Sequence, residues 1–167
     1  MFRNRPGADA PDQVARLGPL SRRQVIYGGS GVVLAALILG GRGLPVQHDR
    51  PRLTPVEAFG LMQRGAVTVV DIRTPKEWRS SGIAEGAVPL DMRRDDFFMA
   101  LDEILAGQRD APVAVICARG GRSARMVKAM TAAGFTTVME IPAGMFGSRA
   151  GPGWIAEGLP VALWEGG

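Results

Sequence analysis

Short apolar segments that favour β-strands alternate with helical patterns from residue 53 to residue 167. Strands are predicted over 66–73, 86–90, 111–118 and 135–141, and most of these segments are rich in β-branched residues. Strands that alternate with helices form parallel sheets, because a parallel connection needs a crossover that is usually helical. We therefore predict an α/β domain with a central parallel sheet and helices on both faces.

The helices of this domain are marked at their ends. Two of them begin where Thr54 and Thr74 each precede a proline, and they end at Gly65 and by Gly82. The next helix has apolar residues at helical spacing, which we expect to face the core: Phe97, Phe98, Leu101, Ile104 and Leu105.

The basic character of the chain is confined to its N-terminal segment. The chain carries a formal net charge of +4, and the six arginines and two aspartates of residues 1–43 account for all of it. A nucleic-acid-binding domain needs basic residues clustered on its own surface. We therefore expect no nucleic-acid partner.

The N-terminal segment has the character of an export signal or a membrane anchor. Residues 1–23 form a basic leader, and the 18 uncharged residues 24–41 that follow would span about 27 Å as a helix. Ser21, Arg22 and Arg23 with the apolar residues beyond them resemble a twin-arginine signal. Because positive flanks stay inside, we predict a single-pass protein of the bacterial inner membrane, with a cytoplasmic N-terminus and a periplasmic domain.

Other interpretations of residues 24–41 stay open. The two arginines are also compatible with the positive flank of an ordinary signal or anchor, and the apolar run with a buried helix. The glycines that follow offer no small-x-small cleavage site, so we favour retention as an anchor over cleavage, which would leave a periplasmic protein. Residues 42–52 then form a linker to the domain at 53–167.

The chain has one cysteine, Cys117, and one histidine, His48. A single cysteine excludes an internal disulfide and a multi-cysteine metal site. His48 lies in the polar linker, where we expect an ordinary surface histidine.

Cys117 ends the apolar run 113–117, at the carboxyl edge of the sheet where ligands of parallel α/β folds bind. Gly120 and Gly121 permit positive φ, and successive N–H groups followed by a helix near Ser123 favour an anion. We therefore expect a pKa for Cys117 below the free value of about 8.5. The alternative is a buried, inert cysteine.

Several motifs, taken together and in order, resemble a single-domain rhodanese: VDIRTPKEW, GIAEGAVPLDM, VICARGGRSARM, AGFTTVMEI and GLPV. The resemblance covers about residues 53–165. It implies an α/β fold and the transfer of sulfane sulfur through a cysteine persulfide.

The resemblance places the family's catalytic cysteine at Cys117. It makes Asp71 and Arg73 supporting residues that brace the loop. No metal or organic cofactor is implied. The anion-binding loop carries over to the residues after the cysteine: Ala118, Arg119, Gly120, Gly121, Arg122 and Ser123.

Two segments depart from the family. GIAEGAV stands where the family often has His-Ile-Pro-Gly-Ala, and residues 147–153 add a stretch that would form a lip beside the site. We expect Trp154 to flank the pocket, and Trp78 and Trp164 to be packing residues.

Protein phosphatases also place a cysteine and an arginine around an anion-binding loop, with five residues between them. Here four residues separate Cys117 from Arg122, and Ser123 stands at the phosphatase arginine position. Sulfur therefore suits the loop better than phosphate.

We expect a thiosulfate-type sulfurtransferase with a small anionic sulfur donor and an external thiol or other thiophilic acceptor. Two alternatives remain: a membrane-tethered sulfur carrier or interaction module with little turnover, and an inactive rhodanese fold.

Overall fold

The fold is built on a sheet of four parallel strands, ordered β3-β1-β4-β5. The computed structural model describes residues 48–166. The strands are β1 (Thr68–Asp71), β2 (Ile83–Ala84), β3 (Val88–Pro89), β4 (Val113–Ile116), β5 (Val138–Ile141) and β6 (Val161–Ala162). The helices are α1 (Pro55–Gln63), α2 (Pro75–Ser81), α3 (Phe97–Ile104) and α4 (Gly121–Ala132).

The two Thr-Pro helix starts form as predicted. The hydroxyls of Thr54 and Thr74 accept from the N–H groups of Glu57 and Glu77, whose carboxylates accept from the threonine N–H groups in return. These reciprocal bonds satisfy donors that a helix end otherwise leaves free.

The sheet is buried on both faces, as the apolar run of β4 indicates. Val113 and Val115 pack with α3 and α4 in one core cluster, whereas Ala114 and Ile116 pack with α1 in a second cluster. The predicted α/β fold, with a central parallel sheet between helices, is confirmed. Four strands aligned in parallel bring their carboxyl ends to one edge.

Two features were not predicted. β2 and β6 pair antiparallel in a separate two-stranded sheet. The residues that enter the domain lie along β5, because the Glu140 N–H donates to the Pro51 carbonyl and the Leu53 N–H donates to the Glu140 carbonyl.

The prediction for Trp154 is wrong. Its side chain is fully buried in the core, its Nε1 donates to the Pro160 carbonyl at 2.8 Å, and its ring contacts Phe59 edge-on. Trp78 is buried and packs against Trp164, as expected.

Between residues 48 and 166, no helix combines the length and the apolar character that crossing a membrane requires. The leader at 1–23 and the predicted signal or anchor at 24–41 lie outside the described residues.

Candidate active site

Cys117 lies at the carboxyl end of β4, in the middle of the parallel sheet. Its side chain is buried, with 1% of the residue exposed. The chain turns within three residues and enters α4 at Gly121. The thiol therefore lies beneath a tight loop between a central strand and a helix.

This loop needs a glycine at position 120. Gly120 has φ +85°, and a Cβ there would lie 2.3 Å from the Pro142 carbonyl oxygen. Gly121, by contrast, is helical, and nothing lies within 4 Å of its would-be Cβ. Of the two glycines predicted to take positive φ, only Gly120 does so.

The segment after β5 fixes the other side of the loop. The N–H groups of Met145 and Phe146 donate to the carbonyls of Cys117 and Ala118, at 2.9 and 3.0 Å. Gly144, at φ +63°, lets the two segments approach, since a Cβ there would lie 2.6 Å from the Cys117 oxygen. The loop is thus held in place by backbone contacts.

The backbone N–H groups of residues 118–123 find no acceptor among the described residues. Three of these groups belong to the loop and three to the first turn of α4, where helix geometry leaves donors free. A run of unpaired N–H groups at a helix N-terminus favours an anion. The loop after Cys117 can therefore hold an anion.

Ser123 contacts the thiol directly. Its Oγ lies 3.7 Å from the Cys117 Sγ, and it is 2.7 Å from the Gly120 carbonyl oxygen and 3.0 Å from Glu140 Oε1. The sequence placed the helix start near Ser123, whereas α4 begins two residues earlier. Ser123 is the third residue of the helix and points beneath the loop.

The expectation that His48 is a surface histidine is wrong. Its side chain is 3% exposed, and its Nε2 lies 2.7 Å from Glu140 Oε2. The Arg50 N–H donates to His48 Nδ1 at 3.2 Å. Cys117, Ser123, Glu140 and His48 thus form one connected buried cluster, which we call the sub-loop network.

The two arginines of the loop differ in their surroundings. Arg119 is exposed, whereas Arg122 donates to both carboxylate oxygens of Glu77, with Nη1 2.8 Å from Oε2. The hydrogen bonds from Arg122 lower the pKa of Glu77 to about 2, and Glu77 raises the pKa of Arg122 in turn. Glu77 therefore partly neutralises the positive charge of Arg122.

Asp71 and Arg73 form a buried ion pair at the end of β1. Arg73 Nε and Nη2 donate to the Asp71 carboxylate, and Arg73 also donates to Ser81 Oγ and the Gly82 carbonyl. These bonds join the end of β1 to the end of α2. The pair braces the sheet edge and makes no hydrogen bond to the Cys117 loop.

The stretch 147–153 folds as a turn beside the loop. Ser148 pairs with Gly151, and Ser148 Oγ donates to the Pro142 carbonyl at 2.8 Å. The preceding Phe146, whose N–H is bonded to the loop, is exposed.

The sequence singled out the loop but missed Glu140 and His48. The available signal was Glu140, the one acidic residue in the predicted strand 135–141. A charged residue is almost never fully buried without a partner, so its position indicated that one exists. No cluster of three potential metal ligands occurs among the residues that the structure describes.

Residues 54–150 match the family described as the Rhodanese-like domain. The chain belongs to this family.

Solved structures share the rhodanese-like fold. A rhodanese-related protein from Thermoplasma volcanium is 25% identical, with a TM-score of 0.51, and the match covers 68% of this chain and 99% of that one. The polysulfide-sulfur transferase of Wolinella succinogenes is 24% identical, with a TM-score of 0.55 and coverages of 84% and 94%.

Thiosulfate sulfurtransferase from Pseudomonas aeruginosa is 19% identical, with a TM-score of 0.55; the match covers 77% of this rhodanese-like chain and 22% of the other. No curated protein matches the sequence.

Proposed function

We propose that this rhodanese-like domain is a sulfurtransferase that moves sulfane sulfur through a persulfide on Cys117. One observation carries the proposal: the buried thiol is followed by six N–H groups, residues 118–123, without acceptors among the described residues. Such a cradle stabilises negative charge on sulfur. The names of the Wolinella and Pseudomonas neighbours support sulfur transfer as the class of reaction.

The reaction consists of two displacements. The Cys117 thiolate attacks the outer sulfur of thiosulfate, an S–S bond forms, and sulfite leaves with the electron pair of the bond that breaks. An external thiophilic acceptor then attacks the outer sulfur of the persulfide, and the Cys117 thiolate leaves. This is covalent catalysis through an activated nucleophile.

The residues of the loop have separable roles in this scheme. The N–H groups of 118–123 hold the persulfide anion, and the exposed Arg119 attracts a small anionic donor. Asp71 and Arg73 act at a distance by keeping the end of β1 in place. With no second cysteine in the chain, the acceptor must come from outside, and no step needs a metal or an organic cofactor.

A sulfur carrier with little turnover is the second candidate. Two observations favour it: Cys117 is buried, and Phe146 beside the loop is exposed. A buried thiol next to an exposed apolar side chain suits a partner protein better than a small acceptor. Under this alternative the persulfide forms but cyanide discharges it slowly.

Steady-state turnover with thiosulfate and cyanide tests the enzymatic proposal. We expect turnover by the full chain and its loss, by about 10³-fold or more, in Cys117→Ser, because the covalent intermediate cannot form. Equal rates for the two proteins would exclude the enzymatic function. Persulfide formation without cyanide turnover would favour the carrier.

A further inference from the structure

The sub-loop network places an acidic side chain within two hydrogen-bond lengths of the reactive sulfur. Glu140 belongs to β5, which pairs with β4, the strand directly before Cys117, and it is 2% exposed. The contact runs from Cys117 Sγ to Ser123 Oγ at 3.7 Å and on to Glu140 Oε1 at 3.0 Å. None of the catalytic steps above uses this carboxylate.

Two cationic or N–H groups converge on one oxygen of Glu140. His48 Nδ1 accepts the Arg50 N–H, so the ring proton is assigned to Nε2, which then donates to Glu140 Oε2 at 2.7 Å. Arg52 Nε lies 3.5 Å from the same oxygen. Both contacts on Oε2 fit a negatively charged Glu140 side chain.

The hydroxyl of Ser123 has one proton to give. Its two acceptors are the Gly120 carbonyl oxygen and Glu140 Oε1. When the proton is donated to either acceptor, the Ser123 oxygen can only accept a hydrogen bond from Cys117. This arrangement suits the S–H form of Cys117 and not S⁻. A buried negative charge this close to the sulfur also disfavours a second one.

We propose that Glu140, held by His48, is a positioning residue that acts on Cys117 through Ser123 and makes the thiolate harder to form than the loop alone would. The N–H groups of the loop favour the thiolate, and Glu140 opposes them. The proposal rests on Cys117 as the nucleophile of the proposed function. It assigns a role to the chain's one histidine, far from the loop in sequence.

Other charged groups surround the sulfur and set the background for this effect. Arg122 lies close enough to Cys117 for mutual attraction, and it is neutralised in part by Glu77. Asp71 also attracts Arg122 and is itself paired with Arg73. Glu140 is the buried carboxylate that reaches Cys117 through a hydroxyl.

The test is the pH profile of the thiolate, followed by ultraviolet absorbance with the matching Cys117→Ser protein as blank. In Glu140→Gln we expect the thiolate to appear at a pH lower by about one unit, which is about tenfold more thiolate at a given pH below the midpoint. Glu157→Gln, an exposed carboxylate, should leave the profile unchanged. Identical profiles for the wild type and Glu140→Gln would overturn the proposal.

The route through Ser123 is tested by a double-mutant cycle. The effect of Glu140→Gln should shrink by at least half in a Ser123→Ala background, because the hydroxyl no longer links the two groups. An equal shift in both backgrounds would show that Ser123 takes no part and would contradict the proposed route.

A second variant keeps the proposal testable if Glu140→Gln does not fold. Arg52 is half exposed, so Arg52→Gln leaves the core intact. Removal of this cation should raise the pH at which the thiolate appears, opposite to Glu140→Gln, since the negative charge of Glu140 is then less compensated. An unchanged or lower pH would contradict the proposal. These profiles need no sulfur donor, so they separate this role from the sulfurtransferase proposal.

Discussion

At the scale of single residues, the site depends on a backbone that only particular side chains permit. Gly120 turns the chain between Cys117 and α4 with a positive φ, pressed against the Pro142 carbonyl. Its neighbour Gly121 has ordinary helical geometry and open space around it. Of these two adjacent glycines, Gly121 has room for a methyl group and Gly120 does not.

We expect Gly120→Ala to lower the free energy of unfolding by about 2 kcal/mol or more, because the methyl meets a backbone oxygen and the φ is strained. Gly121→Ala should change it by less than about 1 kcal/mol, toward greater stability. Urea unfolding of both variants measures the difference. Equal losses would show that the loop does not have the conformation described.

The residues of the loop were predictable from the sequence, whereas the network beneath it was not. Cys117, its glycines and Ser123 are adjacent in the chain, so their local pattern indicates an anion-binding turn. Glu140 and His48 are 92 residues apart, and no local pattern connects them. Only the unexplained charge inside an apolar strand indicated that Glu140 needs a partner.

At the scale of elements, an ion pair joins α2 to α4 next to the Cys117 loop. Glu77 caps α2 through the Thr74 N–H, at 3.0 Å, and also binds Arg122 at the start of α4. Arg122 is the main cause of the lowered pKa of Glu77, about 2 against an ordinary 4.5. One carboxylate thus stabilises a helix end and ties two helices together.

The Glu77–Arg122 ion pair should make the free energy of unfolding depend on pH. Because the folded pKa of Glu77 lies below its unfolded value, its contribution is present above about pH 4.5 and is lost as the pH falls toward about 2. Between pH 7 and pH 2, Glu77→Gln should therefore lose less free energy of unfolding than the wild type, as measured by urea unfolding. Glu103→Gln, an exposed carboxylate on α3, serves as the control. A Glu77→Gln curve parallel to the wild type would contradict the role of the pair.

The elements with strong local signals were predicted, and the weakest were missed. Thr-Pro starts, glycine stops and β-branched runs fix α1, α2 and the strands of the main sheet. β2 and β6 have two residues each, too few for any periodicity. Their pairing depends on tertiary contacts that the sequence does not display.

At the scale of the whole molecule, a basic N-terminal segment precedes a remainder, residues 44–167, that carries no net charge. We propose that this segment directs export and anchors the domain on the periplasmic side. The proposal depends on Arg22 and Arg23 and on the uncharged run 24–41.

Cell fractionation tests this localisation. Replacement of both Arg22 and Arg23 by lysine should leave the protein in the cytoplasm, because a twin-arginine signal does not accept a lysine pair. Arg3 and Arg5, replaced in the same way, should have no effect. Export that survives the first replacement would indicate a plain signal or anchor.

The proposed function requires a persulfide at Cys117, and intact-mass spectrometry detects one. After the full chain is treated with thiosulfate and freed of excess donor, we expect a gain of about 32 Da, one sulfur atom, that cyanide or a reducing thiol removes. The Cys117→Ser protein should gain nothing. No mass gain in the wild type, or an equal gain in Cys117→Ser, would contradict the proposed function.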